Sequence, residues 1–202
     1  QFGMAWSEYS RYVGDVFGAP LAMEALLAFF VESTFLGLWI FGWDRLPKRV
    51  HLATLWAAVV GSWISAYFIL AANSWMQHPV GVDYTGDKPV LNDIWAVLTN
   101  NTLLAAFPHT IAGAIAVAGG FLLGIAWYHL WRRRTDGIDT VDASGRVVVG
   151  EAPDIPGRDA ADHRVWLQSL RIGAVVAIVG FGAVAITGDI QGKLMYEQQP
   201  LK

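Results

Sequence analysis

Four long apolar stretches, bounded by polar or charged residues, dominate the chain. They cover residues 17–43, 51–75, 103–131 and 167–187. Each is long enough to cross a bilayer as a helix, which takes about 20 residues. Tryptophan, whose amphipathic ring prefers the membrane–water interface, stands near the stretch ends at Trp43, Trp75, Trp131 and Trp166. The pattern predicts an all-α, polytopic transmembrane helical bundle with four spanning helices in one membrane domain.

The segments between the apolar stretches are polar. Residues 132–165 are rich in Asp, Gly and Pro, and they predict a surface loop. The apolar run Trp95-Ala96-Val97-Leu98 lies between the second and third stretches and predicts a short interfacial helix. Residues 188–202 are polar and predict a tail that leaves the membrane after the fourth helix.

Composition agrees with a membrane protein. Of the 202 residues, 54% are hydrophobic and 15% are charged, whereas soluble domains carry about 25% charge. The absence of cysteine excludes disulfides and cysteine-ligated zinc or iron–sulfur sites. The net charge of −3 indicates no nucleic-acid partner. The chain begins at Gln1 and stops in a polar stretch, so we expect an internal piece of a longer protein.

Basic residues are distributed unevenly between the two sides of the predicted bundle. The turn between the first two stretches and the loop 132–165 together carry nine Lys or Arg. The N-terminal segment, the loop between the second and third stretches and the tail carry four. Since cytoplasmic loops are enriched in Lys and Arg, we expect residues 132–165 inside and the tail outside.

Two carboxylates, Glu24 and Glu32, fall within the first apolar stretch. A charge near the centre of a membrane helix costs about 2.5–3.5 kcal/mol on insertion scales, so both side chains should face protein or water. On a regular helix they would lie about 12 Å apart along the axis and about 80° apart around it. With Ser33 and Thr34 beside the second one, the pair indicates proton conduction or cofactor contact. The alternative is a carboxyl group that only bonds a neighbouring helix.

His109 follows Pro108 near the start of the third stretch, and small residues follow it. A neutral imidazole at that depth can ligate haem iron, or it can simply bond a neighbouring helix. Ser62, Ser65 and Asn73 on the second stretch are interpreted as interhelical hydrogen-bonding groups. The residues alone leave open a proton-linked redox protein, a transporter and a channel.

Several motifs closely resemble subunit I of the cytochrome bd quinol oxidases, over nearly the whole chain. The most specific are the run from Gly14 to Glu24 (GDVFGAPLAME), FFVESTF at Phe29–Phe35, and FGWDRL at Phe41–Leu46. Others are ANSWMQ at Ala72–Gln77, FPHT at Phe107–Thr110, and the tail from Gly188 to Lys202.

The resemblance implies an oxidase that takes electrons from menaquinol or ubiquinol at the outer face. It would reduce dioxygen to water with protons drawn from the cytoplasm, in the bacterial cytoplasmic membrane. Implied cofactors are haem b558, haem b595 and haem d. Implied partners are membrane lipid, oxidase subunit II and a small accessory subunit.

The resemblance also assigns roles to individual residues. Glu24 corresponds to a glutamate at the high-spin haem site and is a candidate iron ligand. Glu32, Ser33 and Ser65 match the proton route to the oxygen site. His109 matches an axial ligand of haem b558 iron. Lys202 aligns with a lysine of the quinol-binding loop, which begins at about residue 188.

Further ligands of the family lie outside this sequence. Another axial histidine precedes Gln1, and the methionine partner of His109 and a second haem glutamate follow Lys202. We therefore expect no oxidase turnover from these 202 residues alone. The rival interpretations are a haem b membrane anchor of another quinone oxidoreductase, a proton-coupled transporter that uses Glu24 and Glu32, and a purely structural membrane subunit.

Overall fold

The structure, a computed structural model, describes residues 7–150 and 158–199. Its helices are α1 (Ser7–Met23), α2 (Phe30–Phe41), α3 (Lys48–Gln77), α4 (Ile94–Leu98), α5 (Asn101–Thr135) and α6 (Arg158–Gln198). Four helical stretches are long and apolar enough to span a membrane: Ser10–Phe41, Lys48–Gln77, Ile94–Thr135 and Ala161–Gln198. The predicted all-α fold with four candidate spans is therefore confirmed.

The first span is not a regular α-helix. Between α1 and α2, residues Glu24–Phe29 form a π-helical turn, which accommodates one extra residue in the helix. One extra residue turns everything that follows back by about 100° relative to a regular helix. Glu24 and Glu32, eight positions apart, therefore behave like residues seven apart and lie on nearly the same face. The expected offset of about 80° is wrong for this reason.

The described residues divide into two compact units. The first holds the residues up to Pro108 together with those after Gly188, and the second holds residues 109–188. In the first unit, α1, α3 and α4 share an apolar core of Val13, Val16, Phe17, Ala72, Trp75 and Val97. A second core joins Ala28 of the π-helical turn to Phe68, Ala71, Leu98 and Leu103. These two cores fix the faces that α1 and α3 present to each other.

A small hairpin and the predicted interfacial helix connect α3 to α5. Strands β1 (Val82–Asp83) and β2 (Val90–Leu91) pair antiparallel. Helix α4 follows, and the Asp93 carboxylate caps it by accepting hydrogen bonds from two backbone N–H groups of its first turn. The short helix expected at Trp95–Leu98 is confirmed, with Ile94 as its first residue.

In the second unit, α5 and α6 run antiparallel and touch through glycine. A Cβ at Gly119 would clash with the Ala177 backbone nitrogen. A Cβ at Gly180 would lie 2.5 Å from the Ala116 nitrogen. Such distances are far below ordinary contact, so only glycine permits the two backbones to approach this closely.

Two loop predictions need correction. The segment 132–165 is helical at both ends, because α5 continues to Thr135 and α6 begins at Arg158. Between them, β3 (Thr140–Val141) and β4 (Val147–Val148) form an antiparallel hairpin. The polar segment after Thr187 is not an extended tail, since α6 continues to Gln198. The polar residues indicate where the chain leaves the membrane, but they do not end a helix, because a helix can continue into water.

Candidate functional site

Two serine–glutamate pairs join α3 to the first span. Ser65 Oγ donates to Glu24 Oε1 at 2.7 Å, and Ser62 Oγ donates to Glu32 Oε1 at 2.8 Å. All four side chains are half-buried. Ser62 and Ser65 are three residues apart and share one face of α3. The π-helical turn brings both glutamates to that face, so each carboxyl group meets one hydroxyl group.

Gly61 determines how closely the helices approach at this point. A Cβ at Gly61 would lie 2.9 Å from the backbone nitrogen of Glu32 and 3.0 Å from its Cα. The two backbones are therefore in direct contact, and the next residue, Ser62, reaches the Glu32 carboxyl group. The close approach fixes the position of the Ser62–Glu32 pair.

Ser33 takes no part in either pair. Its hydroxyl donates to the Phe30 carbonyl of its own helix at 3.3 Å, and the side chain is exposed. Ser33 and Thr34 instead line a separate groove of about 450 Å³. Ser62 and Ser65, interpreted as interhelical hydrogen-bonding groups, do bond across helices, but sequence reasoning did not pair Ser62 with Glu32. Sequence spacing does not reveal this pairing, since the two serines are three positions apart and the two glutamates are eight positions apart.

His109 contacts the end of the apolar part of α6. Its Nδ1 lies 3.1 Å from Thr187 Oγ1, and the Thr187 hydroxyl donates to the Ala183 carbonyl at 2.7 Å. The next residue is Gly188, where a Cβ would lie 3.2 Å from His109 Cε1. The imidazole is half-buried against these two residues.

The first unit contains a cleft of about 410 Å³ between the ends of three helices, which we call the helix-end cleft. Its hydrogen-bonding lining is Asn73, Ser74, Gln77, Thr102, Gln191, Tyr196 and Gln199. The Thr102 hydroxyl donates to Gln198 Oε1 at 2.8 Å, and Gln199 Nε2 donates to the Gln77 carbonyl. These bonds hold the end of α6 beside the cleft. Among the buried side-chain nitrogen and oxygen atoms that the structure describes, Ser74 Oγ alone makes no hydrogen bond.

A charged cluster lies in the hairpin between α5 and α6. Asp139 is buried and accepts hydrogen bonds from Arg133 Nε and Nη2, each at 3.0 Å, and it lies 3.0 Å from His163 Nδ1. Burial alone would raise the Asp139 pKa, but the bonds from Arg133 and His163 hold it below its ordinary value. The cluster fixes the hairpin onto the helix ends.

The remaining histidines are half-buried and contact neighbouring groups. His51 Nε2 lies 2.8 Å from the Trp39 carbonyl, and His129 stacks on Trp166 with ring centroids 4.0 Å apart. His78 Nδ1 lies 3.2 Å from Asn101 Oδ1. In the part of the chain that the structure describes, no group of three or more His, Asp or Glu side chains could hold a metal ion together.

Comparison with known proteins decides the family. The family "Cytochrome bd terminal oxidase subunit I" matches residues 1–202. The chain belongs to this family. It is a multi-pass protein of the bacterial cytoplasmic membrane. Membership of a cytochrome family implies haem as the cofactor.

Individual relatives agree. The chain is 40% identical over its whole length to cytochrome bd ubiquinol oxidase subunit 1 of Bacillus subtilis. It is 38% identical, over 95% of its length, to cytochrome bd-II ubiquinol oxidase subunit 1 of Escherichia coli. It superposes on the bd oxidase of Geobacillus thermodenitrificans with a TM-score of 0.74 and 28% identity, over 96% of its length. The chain spans 37% of the Bacillus relative, 31% of the Escherichia relative and 39% of the Geobacillus chain.

His109 has the chemistry that a haem ligand needs. Thr187 has a single hydroxyl proton, which it donates to the Ala183 carbonyl, so its oxygen accepts from His109 Nδ1–H. Nδ1 then carries a ring proton, and in the neutral form of this tautomer Nε2 has the lone pair that binds iron. The residues present therefore fit an axial haem ligand. Lys202, the implied quinol-loop lysine, lies outside the described residues.

Proposed function

We propose that this chain is part of the haem-bearing subunit of a bd-type terminal oxidase. The complete enzyme oxidises quinol at the outer face and reduces dioxygen to water with protons from the cytoplasm. Family membership and the two half-buried serine–glutamate pairs support this function. Bound haem would supply the redox iron that transfers electrons and binds dioxygen.

Glu32 and Ser62 form the first proton-handling pair of the proposal. Ser62 Oγ lies 2.8 Å from Glu32 Oε1 and also 3.2 Å from the Ala58 carbonyl. When Glu32 is ionised, Ser62 donates to the carboxylate. When Glu32 is protonated, its O–H can donate to Ser62, which turns its own proton to Ala58. The hydroxyl thus accommodates both protonation states without moving a heavy atom, as a proton carrier requires.

Glu24 and Ser65 form the second pair. Ser65 Oγ donates to Glu24 Oε1 at 2.7 Å. Because the π-helical turn aligns both glutamates with α3, a proton can pass along one face of the first span. We propose that Glu32 delivers protons toward Glu24 and that Glu24 faces the high-spin haems. Ser33 follows Glu32 in sequence, and its exposed hydroxyl would extend this route beyond Glu32, on the side away from Glu24.

The helix-end cleft is the candidate site for the quinol headgroup. A quinol has hydroxyl groups that donate and accept, and the cleft offers amide and hydroxyl partners such as Gln77, Thr102 and Ser74. The end of α6 forms one wall, and the family's quinol loop with Lys202 continues from it. The predicted topology supports an outer position for the cleft, because the nine Lys and Arg of the first turn and of residues 132–165 predict that those two segments are cytoplasmic.

The remaining roles follow the family. We propose His109 as an axial ligand of haem b558, with haem b595 and haem d near Glu24. Oxidase subunit II, a small accessory subunit and membrane lipid would cover the apolar surfaces that the four spans expose. The ligands absent from this sequence would come from the rest of the subunit.

A reduced-minus-oxidised visible spectrum of the native membrane complex tests the function. A long-wavelength chlorin band beside b-type bands would support the oxidase. A b-type spectrum without that band would overturn it in favour of a haem b anchor. No haem in an intact complex would favour the proton-coupled transporter.

The proton-handling role has its own test. In the same complex, Glu32→Gln should slow dioxygen consumption while leaving the quinol KM nearly unchanged, because it removes a proton carrier and no quinol contact. Glu32→Asp is the matched control, since it keeps a titratable group. Normal turnover in Glu32→Gln would contradict a relay through this residue.

A further inference from the structure

His109 is held by two consecutive residues of α6. Thr187 Oγ1 lies 3.1 Å from Nδ1 on one edge of the ring. At Gly188, a Cβ would lie 3.2 Å from Cε1 and 3.6 Å from Nδ1. The Thr187 hydroxyl accepts at one ring nitrogen, while the missing side chain of Gly188 leaves room for the ring edge. Together they restrict rotation of the imidazole about its Cβ–Cγ bond.

The hydrogen bonds of Thr187 have a direction. The hydroxyl donates to the Ala183 carbonyl at 2.7 Å, one turn back along α6, so the Thr187 χ1 angle is fixed as well. The hydroxyl oxygen then presents its lone pairs to Nδ1–H. The helix backbone therefore sets the tautomer of an imidazole that belongs to another helix.

We propose that Thr187 is a positioning residue for the haem iron ligand His109, with Gly188 as the contact that gives the ring its orientation. The inference rests on the proposed function, in which His109 is an axial ligand. Thr187 would hold the Nδ1–H tautomer, direct Nε2 away from α6, and increase the electron donation of the imidazole to iron.

Electron donation affects the two oxidation states of iron differently. An imidazole whose Nδ1–H is hydrogen-bonded is a more basic ligand, and a more basic ligand favours ferric over ferrous iron. Removing the acceptor should weaken this preference. A tenfold decrease in the ligand's preference for ferric over ferrous iron would raise the one-electron midpoint potential by about 59 mV.

The test uses the complete oxidase complex and the midpoint potential of its low-spin haem, measured by spectroelectrochemistry. Thr187→Val removes the hydroxyl at constant shape and should raise the potential by up to about 59 mV. Thr187→Ser keeps the hydroxyl and should restore the original value. If the valine complex does not assemble, Thr187→Ala removes the same bond without added bulk. An unchanged potential in the assembled variant would overturn the proposal.

Gly188→Ala tests the ring orientation separately. The added methyl group would press on Cε1, turn the imidazole and change the electron paramagnetic resonance signal of the oxidised low-spin haem. Gly182→Ala is the matched control, because its Cβ would meet no atom within 4 Å. An identical signal in Gly188→Ala would contradict the proposed contact.

His109→Ala distinguishes failure of the axial-ligand assignment of His109 from failure of the positioning role of Thr187. If the low-spin haem persists without His109, the axial assignment in the proposed function fails. If that haem is lost in His109→Ala but the potential is unchanged in Thr187→Val, only the positioning role of Thr187 fails.

Discussion

Gly61→Ala tests whether backbone contact between α3 and the first span controls the proton-handling pair. The new Cβ would lie 2.9 Å from Glu32 N, 3.0 Å from its Cα and 3.1 Å from its Cβ. Two of these atoms belong to the Glu32 backbone and one to the root of its side chain, so no flexible group can move aside. Relief requires the two helices to separate.

The size of the separation follows from the contacts. Ordinary contact begins at 3.4 Å, so the 2.9 Å approach must open by about half an ångström. The Ser62–Glu32 bond, now 2.8 Å, would lengthen by a similar amount. An O–H···O bond is effective at about 2.5–3.0 Å, so this one would be largely lost. Overpacking of this kind costs about 1–3 kcal/mol, and a lost hydrogen bond adds about 0.5–1.5 kcal/mol.

Two assays on the full oxidase complex measure these effects. Thermal unfolding should begin at a lower temperature in Gly61→Ala, and quinol-driven dioxygen consumption should be slower. Ser62→Ala removes the same hydrogen bond without adding bulk, so it should slow turnover with a smaller loss of stability. Gly37→Ala is the matched control, because a Cβ there meets no atom within 4 Å.

Two results would refute this reasoning. Wild-type thermal stability in Gly61→Ala would show that the backbone contact is not rigid. Reduced stability with unchanged turnover in both Gly61→Ala and Ser62→Ala would show that the Ser62–Glu32 bond has no part in proton transfer.

Three other perturbations test separate parts of the chain. Gly180→Ala should lower the melting temperature of the complex, because its Cβ would lie 2.5 Å from a backbone nitrogen of α5; overpacking costs about 1–3 kcal/mol, and equal melting of Gly180→Ala and Gly182→Ala would contradict this contact. Asp139 has a lowered pKa, so its cluster should stabilise the hairpin above about pH 4 and lose that contribution as pH falls through the lowered value. Hydrogen exchange of residues 136–150 across this range checks it, and Asp139→Asn should show the loss already at neutral pH. Lys202→Ala should slow quinol oxidation more than oxidation of an artificial donor, and equal slowing of both would argue against a quinol-loop role.

Much of the candidate site was visible in the sequence because polar groups in an apolar stretch are costly. Glu24, Glu32 and His109 stand out for that reason. Which hydroxyl group meets which of these residues was not visible, since a serine or threonine costs little in a membrane helix and is common there. Ser62 lies 30 residues from Glu32, and Thr187 lies 78 residues from His109.

The sequence by itself determined the four spans, because an apolar stretch of sufficient length must satisfy its own backbone hydrogen bonds and becomes a helix in lipid. It also determined the short helix α4, whose cap is a local feature. Rotation and relative depth of the helices were decided only by tertiary structure. The π-helical turn shifts the phase of the first span, and Gly61 sets its distance from α3. Hydropathy predicts neither the rotation nor the relative depth of the helices, since both depend on how particular side chains on different helices meet.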